Sequence, residues 1–283
     1  MSGTARKTAP KGRFEECFAG SGLEDHWAKL HKGDQEPYPN AARVTRLAKQ
    51  HVKFAEWIEA HGGAREVATG VQEAWRRFHT GNFNGAIAAG SKLGALGTTA
   101  ANKAAAIHSV EARGDEAIRL LEGAIARGEQ AVESLPDDAN AHYMLALALG
   151  RYSQRISIVK ALASGIATRV RAHLDTTVKL EPRHADAQIA LGLYHAEIVA
   201  KVGSLLAGLT YQASSGAAIE HFQRAIKLTP RSPIAQIEYA NGLLLVDASK
   251  YRKQADELYA SAAACEPQDA MEQLDVERAQ RGP

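Results

Sequence analysis

Cysteine is scarce in this sequence of 283 residues, which contains only Cys17 and Cys265. Neither has a second cysteine or a histidine at the spacing of a zinc site, and a single distant pair gives no disulfide framework. The first residues lack the apolar core of a secretory signal peptide, and no apolar run approaches the roughly 18 residues that span a bilayer. These absences predict a cytoplasmic protein without a membrane span.

An excess of one charge is also lacking, because the net charge is only +2 and the two signs alternate along most of the chain. A field of this kind does not attract nucleic acid, so no nucleic-acid partner is expected. The exception is the segment 1–12, where Arg6, Lys7 and Lys11 occur without an acidic residue. Its composition predicts a disordered basic tail.

The sequence has none of the common catalytic or metal-binding motifs: no GxSxG, no Walker-type loop, no GxGxxG after a strand and no HExxH or HxxxH. The glycine-containing stretch 90–97, GSKLGALG, has the wrong spacing for phosphate binding. His142 and His195 occupy positions typical of core or groove residues and are interpreted as structural. We therefore expect no enzyme, no catalytic residue, no metal and no cofactor.

Alanine is abundant and aromatic residues make up only 6% of the chain, a mixture that favours closely packed helices over strands. Four segments align on their prolines, with small residues upstream and downstream and a large residue eight positions before the proline in three of them. The aligned prolines are Pro136, Pro182, Pro230 and Pro267. Small residues where helices approach, a large residue between them and a closing proline are typical of helical-hairpin repeats.

The segment 81–87, with its Gly-x-Phe-x-x-Ala-Ile pattern, and the four aligned copies resemble the tetratricopeptide-repeat (TPR) superfamily over residues 64–278. The prolines are 46, 48 and 37 residues apart, whereas the standard repeat has about 34 residues. The resemblance implies an all-α solenoid with lengthened middle repeats. Residues 13–63 would form an N-terminal helical cap that includes a helix over 41–60, and 64–283 a repeat domain that ends in a capping helix at 268–281. The lengthened repeats also resemble, more loosely, the T component of TRAP transporters and regulators of microtubule dynamics.

In TPR proteins the first helix of each hairpin lines a concave groove, and the resemblance assigns twelve residues of this chain to it. They are Trp75, Phe78, His79, Tyr143, Leu147, Arg151, Ile189, Leu193, Glu197, Ile237, Asn241 and Leu244. The prediction is a peptide or helix of a protein partner bound there, with Arg151 and Glu197 setting polarity. The alternative is a tightly wound superhelix, or a groove filled by the helix at 41–60.

The extra residues of the middle repeats form two apolar insertions, 155–167 and 199–216, that should be neighbours. The candidate residues in them are Ile156, Val159, Leu162, Val202, Leu205, Leu206, Leu209 and Tyr211. They predict a pocket, a homo-oligomer interface or a thicker core. The leading hypothesis is a protein-binding scaffold or adaptor, and the alternative is a ligand-binding or ring-forming subunit of a transport or assembly system.

Overall fold

The computed structural model describes residues 13–50 and 52–282, which form helices and connecting turns without any strand. The expected disorder of 1–12 and the continuity of the predicted helix at His51 lie outside the described residues. The helices are α1 Arg13–Cys17, α2 Gly22–Leu30, α3 Ala41–Gln50, α4 Val52–Ala60, α5 Gly63–His79, α6 Phe83–Gly90, α7 Gly94–Glu111, α8 Asp115–Ser134, α9 Ala139–Ser153, α10 Ile158–Ala163, α11 Ile166–Leu180, α12 Ala185–Val202, α13 Ser204–Tyr211, α14 Ser215–Leu228, α15 Pro233–Ala263 and α16 Ala270–Gln280.

Within residues 63–263 of the described part, five successive helical hairpins build the solenoid. The first four pair α5 with α6, α7 with α8, α9 with α11, and α12 with α14. The fifth consists of the two halves of α15, which Asp247 separates with a non-helical backbone (φ −164°, ψ 96°). Its carboxylate accepts a hydrogen bond from the backbone N–H of Lys250 at 3.0 Å and so caps the second half. The all-α solenoid of TPR-like hairpins is confirmed.

The side-chain pattern around the prolines has a direct structural cause. Phe222 of α14 is buried between α12 and α15, and its ring occupies the space that a Cβ at Gly192 or Gly242 would need. Gly128, which replaces the large residue in the first copy, faces Leu145 instead, and a Cβ there would lie 3.1 Å from the Leu145 Cβ. A leucine from the next helix therefore fills this gap.

The glycines of the stretch 90–97 permit a close crossing of α6 and α7. A Cβ at Gly90 would lie 2.6 Å from the carbonyl oxygen of Gly97, which no side chain tolerates without movement. Most of α7 beyond this crossing is buried, because its small residues pack against α5, α6, α8 and α9. These glycines allow α6 and α7 to pack closely.

The two insertions contain the short helices α10 and α13. Ile156 packs against the core formed by Leu145 and Leu149, while Val202 shares a cluster with Ala167 of the other insertion. The expectation that the insertions are neighbours is thus met at Val202 and Ala167. The side chains of Val159 and Leu162 are outside the described part.

Helix α13 is largely exposed. Tyr211 is half-buried and Ala207 is buried, but Leu205 and Leu209 are 77% and 79% exposed and Leu206 is 50% exposed. These leucines face outward because α13 turns mainly Ala207 inward. Their role in an oligomer interface stays a prediction.

The first hairpin meets the last helix, so the solenoid curves back on itself. Helix α16 packs on α15 and also contacts α5. The contact includes His79 Nδ1 and Asp269 Oδ2, which are 2.7 Å apart, and Gly81, whose missing Cβ leaves room for Ala270. None of the helices in the described ranges is long and apolar enough to cross a membrane.

Candidate functional site

The N-terminal part of the predicted groove is filled by the chain itself. Trp75, Phe78 and His79 are at most 1% exposed. The Trp75 ring lies 4.5 Å from that of His31 and 5.7 Å from that of Trp27. The expectation of an open aromatic surface here was wrong, because α1, α2 and the loop after them pack into the concavity. The filling segment precedes the 41–60 region that the alternative interpretation named.

Residues 31–36, HKGDQE, which we call the inner segment, lie against the concave side of the repeats. Asn140 Nδ2 of α9 donates to the carbonyl oxygen of Asp34 at 2.9 Å, and the backbone N–H of Asp186 in α12 donates to that of Gly33 at 3.1 Å. Trp27 Nε1 donates to the carbonyl oxygen of Glu36 at 2.6 Å. Helices α2, α9 and α12 thus hold this turn segment by its main-chain carbonyl groups.

A continuous row of polar contacts fixes the inner segment to α5, α7 and α16. Asp269 contacts His79, and His79 Nε2 lies 3.2 Å from His31 Nε2. His31 Nδ1 lies 2.9 Å from Asp34 Oδ1, and the other Asp34 oxygen accepts from Lys103 Nζ at 2.6 Å. All five side chains are buried. The row joins the first hairpins to the last helix through buried polar side chains that would otherwise lack hydrogen-bond partners.

Charge pairing governs ionisation in this row. Burial alone would raise the pKa of Asp34, but the neighbouring Lys103 ammonium and His31 hold this pKa well below its usual value. Burial would lower the pKa of Lys103, yet Asp34 and Asp186, at 2.6 and 3.6 Å, raise it. Burial lowers the pKa of His31 to about 4 despite Asp34. At neutral pH the centre is therefore an ion pair beside a neutral imidazole.

Glu36, at the end of the inner segment, gives a testable pH dependence. Burial raises its pKa to about 8 against the opposing effect of Arg43, while Asp138 and Asp34 raise it further and Lys103 lowers it. The folded chain thus keeps a proton on Glu36 that the unfolded chain releases near pH 4.5. The free energy of unfolding therefore falls as the pH rises from 4.5 to about 8.

Glu36→Gln keeps the shape of the protonated side chain and cannot ionise. We expect its free energy of unfolding, relative to wild type, to rise from pH 4.5 to 8 by at most about 1.4 kcal/mol per pH unit. Urea unfolding at several pH values measures this difference, with the exposed Glu133→Gln as control. A difference that stays constant with pH would contradict it.

Several other predicted groove residues lie inside the fold. Tyr143 is buried with its ring 4.6 Å from that of His184, and Ile189 packs in the cluster around Phe222. Ile237 is fully buried beside Ala279 of α16. Asn241 accepts a hydrogen bond from the Tyr259 hydroxyl at 2.6 Å, and Leu244 packs at the edge of the same cluster. The closure of the solenoid by α16 covers this end of the groove.

Four predicted groove residues border an open space: Leu147, Arg151, Leu193 and Glu197. This space, which we call the crevice, lies between α9 and α12 with α11 as its floor and has a volume of about 160 Å3. Gln154 Nε2, just after α9, donates to Glu197 Oε1 of α12 at 2.8 Å and so links its two sides. The apolar walls are formed by Leu147, Ile166, Val170, Leu174, Leu193 and Val202. The structure thus brings the middle of the groove together with both insertions.

The rim of the crevice carries an unbalanced positive charge. Glu197 accepts from Lys201 Nζ at 2.8 Å and from Gln154, so its carboxylate has partners. Among the described residues, Arg151 donates a hydrogen bond only to the side-chain oxygen of Gln154, at 3.5 Å, and no carboxylate lies within 4.0 Å of it. The guanidinium therefore keeps donors free for a ligand.

His142 and His195 each contact a backbone group within the fold. His142 Nε2 lies 2.9 Å from the carbonyl oxygen of Pro136, and His195 Nδ1 accepts from the backbone N–H of Ser214 at 3.3 Å. Cys17 and Cys265 are unpaired. In the parts of the chain that the structure describes, no three His, Cys, Asp or Glu side chains are grouped so that they would hold a metal ion.

Sequence reasoning missed the inner segment. One signal was available: Lys103 is the single charged residue among the small and apolar residues 94–107, and a lysine in such surroundings needs an acidic partner. The partner itself was not identifiable, because it lies 69 positions away.

Comparisons with known proteins agree on the architecture. Residues 98–279 match the family model described as "Regulator of microtubule dynamics protein 1-3". The fold is similar to the crystal structure of a thermophilic TPR protein from Thermus thermophilus, with a TM-score of 0.55 and 14% sequence identity over 76% of this chain and 99% of that one. No curated protein sequence matches this chain. At this identity the structural similarity shows the fold alone.

Proposed function

This chain belongs to the regulator of microtubule dynamics protein 1-3 family, and on that premise we propose that it is a cytoplasmic, non-enzymatic scaffold. Its ligand is a peptide or helix of a partner protein, bound in the crevice between α9 and α12. The family description names regulators of microtubule dynamics, and holding a partner segment is the role that we propose this chain has in such regulation.

The crevice is the observation that carries the proposal. It is a part of the concave side that the described segments leave open, and it combines apolar walls with a polar rim. Binding sites for peptides typically have this composition, with apolar contacts for affinity and polar groups for orientation. The inner segment supports the proposal independently, because the adjoining part of the same surface already holds a main-chain segment through hydrogen bonds to its carbonyl groups.

The test is to fill the crevice without disturbing the fold. Ala190 lines the crevice on α12, whereas Ala200 is exposed on the same helix away from it. We expect Ala190→Trp to weaken binding by at least about tenfold, which corresponds to about 1.4 kcal/mol, because the indole would occupy the ligand space. Ala200→Trp is the matched control and should bind normally.

Peptides for this measurement come from a random 15-residue phage-displayed library selected on the wild-type protein. Fluorescence anisotropy of labelled peptides gives the affinities, and circular dichroism checks that each variant is folded. If the selection yields no peptide, or if the selected peptides bind Ala190→Trp as tightly as wild type, the crevice is not the binding site and the proposal is wrong.

A further inference from the structure

We infer that the crevice recognises a partner segment with one large apolar side chain and an acidic residue one helical turn away. This inference rests on the proposed function and specifies its ligand. The apolar side chain enters the space above α11, and the carboxylate pairs with Arg151. The size of the space, the charge of its rim and the spacing of the two contacts all favour this ligand.

The size of the space fits a single side chain. An apolar cavity of roughly 150 Å3 holds one benzene molecule, and the crevice measures about 160 Å3. A phenylalanine or leucine side chain therefore fits, whereas two adjacent large side chains do not. The walls of Leu147, Val170 and Leu193 offer contacts on several sides, which is typical of the pocket for an anchor residue.

The charge of the rim selects an acidic neighbour. Lys201 and Gln154 already satisfy Glu197, so this carboxylate attracts a further cation only weakly. Arg151 has no acidic partner among the described residues, is half-buried, and has the donor geometry that pairs with a carboxylate through two parallel hydrogen bonds. Partial burial strengthens this pair relative to one on the open surface.

The spacing follows from α9. Leu147 and Arg151 are four residues apart in this helix and so lie on one face, about 5–6 Å from each other at Cβ. A partner helix that places its apolar residue beside Leu147 reaches Arg151 with a side chain three or four positions away. The expected motif is Phe or Leu with Asp or Glu at that distance in either direction.

Selection from the phage-displayed library tests this motif on wild type, Arg151→Glu, Arg151→Gln and the control Lys253→Glu. Lys253 is exposed on the second half of α15, away from the crevice. Its substitution by glutamate changes the net charge by the same amount as Arg151→Glu does. We expect wild type and Lys253→Glu to enrich the apolar–acidic motif. Arg151→Gln should lose the acidic preference, and Arg151→Glu should favour Lys or Arg at that position.

Affinities give the second measure. A peptide with the motif should bind Arg151→Glu at least about tenfold more weakly than it binds wild type. Replacing the peptide's acidic residue with lysine should restore binding to that variant. Apolar peptides without acidic preference, or a preference that survives Arg151→Glu, would overturn this inference and leave the scaffold proposal standing. Selected peptides that bind Ala190→Trp as tightly as wild type would overturn both this inference and the scaffold proposal.

Discussion

Lys103→Met is expected to lower the free energy of unfolding by about 3–5 kcal/mol, because it leaves Asp34 without its main counter-charge in a buried site. Methionine retains most of the apolar stem, so the loss reports the charge and not the volume. The effect should diminish as pH falls from 7 to 4.5, since the orphaned Asp34 binds a proton more readily in this range. Urea unfolding at these two pH values measures both effects.

Two further variants make the Lys103 result specific. Lys103→Met combined with Asp34→Asn removes the orphaned charge and should recover part of the lost stability. Lys92→Met changes an exposed lysine and should remain within about 0.5 kcal/mol of wild type. A loss for Lys103→Met as small as that for Lys92→Met would show that the inner segment is not held by this ion pair.

Trp75→Ala is expected to cost about 3–5 kcal/mol of folding stability and to leave the affinity of the folded protein for crevice-binding peptides unchanged. Trp75 is fully buried against Trp27 and His31, and the cavity left by its removal lies in the core that α1 and α2 share with α5. Guanidinium chloride unfolding gives the stability, and anisotropy under folding conditions gives the affinity.

Trp75→Phe serves as the conservative comparison for this prediction. The indole Nε1 has no hydrogen-bond partner within the described residues, so phenylalanine loses volume without losing a hydrogen bond. Its stability should lie between those of wild type and Trp75→Ala. A Trp75→Ala protein of normal stability that no longer binds peptides would restore the groove role that the sequence suggested for this residue.

The hairpin architecture was predictable because it depends on local, periodic sequence patterns. Pro136, Pro182 and Pro230 each lie in the turn after the second helix of a hairpin, and Phe222 occupies the gap that its place in the repeat indicates. Such patterns depend on neighbours within one or two repeats, which an alignment of the chain with itself reveals. The same register placed Leu147, Arg151, Leu193 and Glu197 on the sides of α9 and α12 where the crevice lies.

The filled half of the groove was not predictable by the same means. Mapping Trp75 and Phe78 onto a groove assumes that the concavity is empty, and the residues that fill it lie outside the repeats. Asp34 and Lys103 form a single long-range contact that no periodic pattern in the sequence indicates. The exposed leucines of α13 show a related gap, because apolar composition alone does not say which way a short helix faces.

The contact between His79 and Asp269 bears on how this solenoid unfolds. An open repeat array behaves as a one-dimensional chain of units, and its terminal units fray before the interior. Here the opening hairpin and the final helix support each other, so releasing either one removes stabilising contacts from both. Hydrogen exchange at α5 and α16 should therefore report one shared, cooperative opening instead of two independent ends that unravel first.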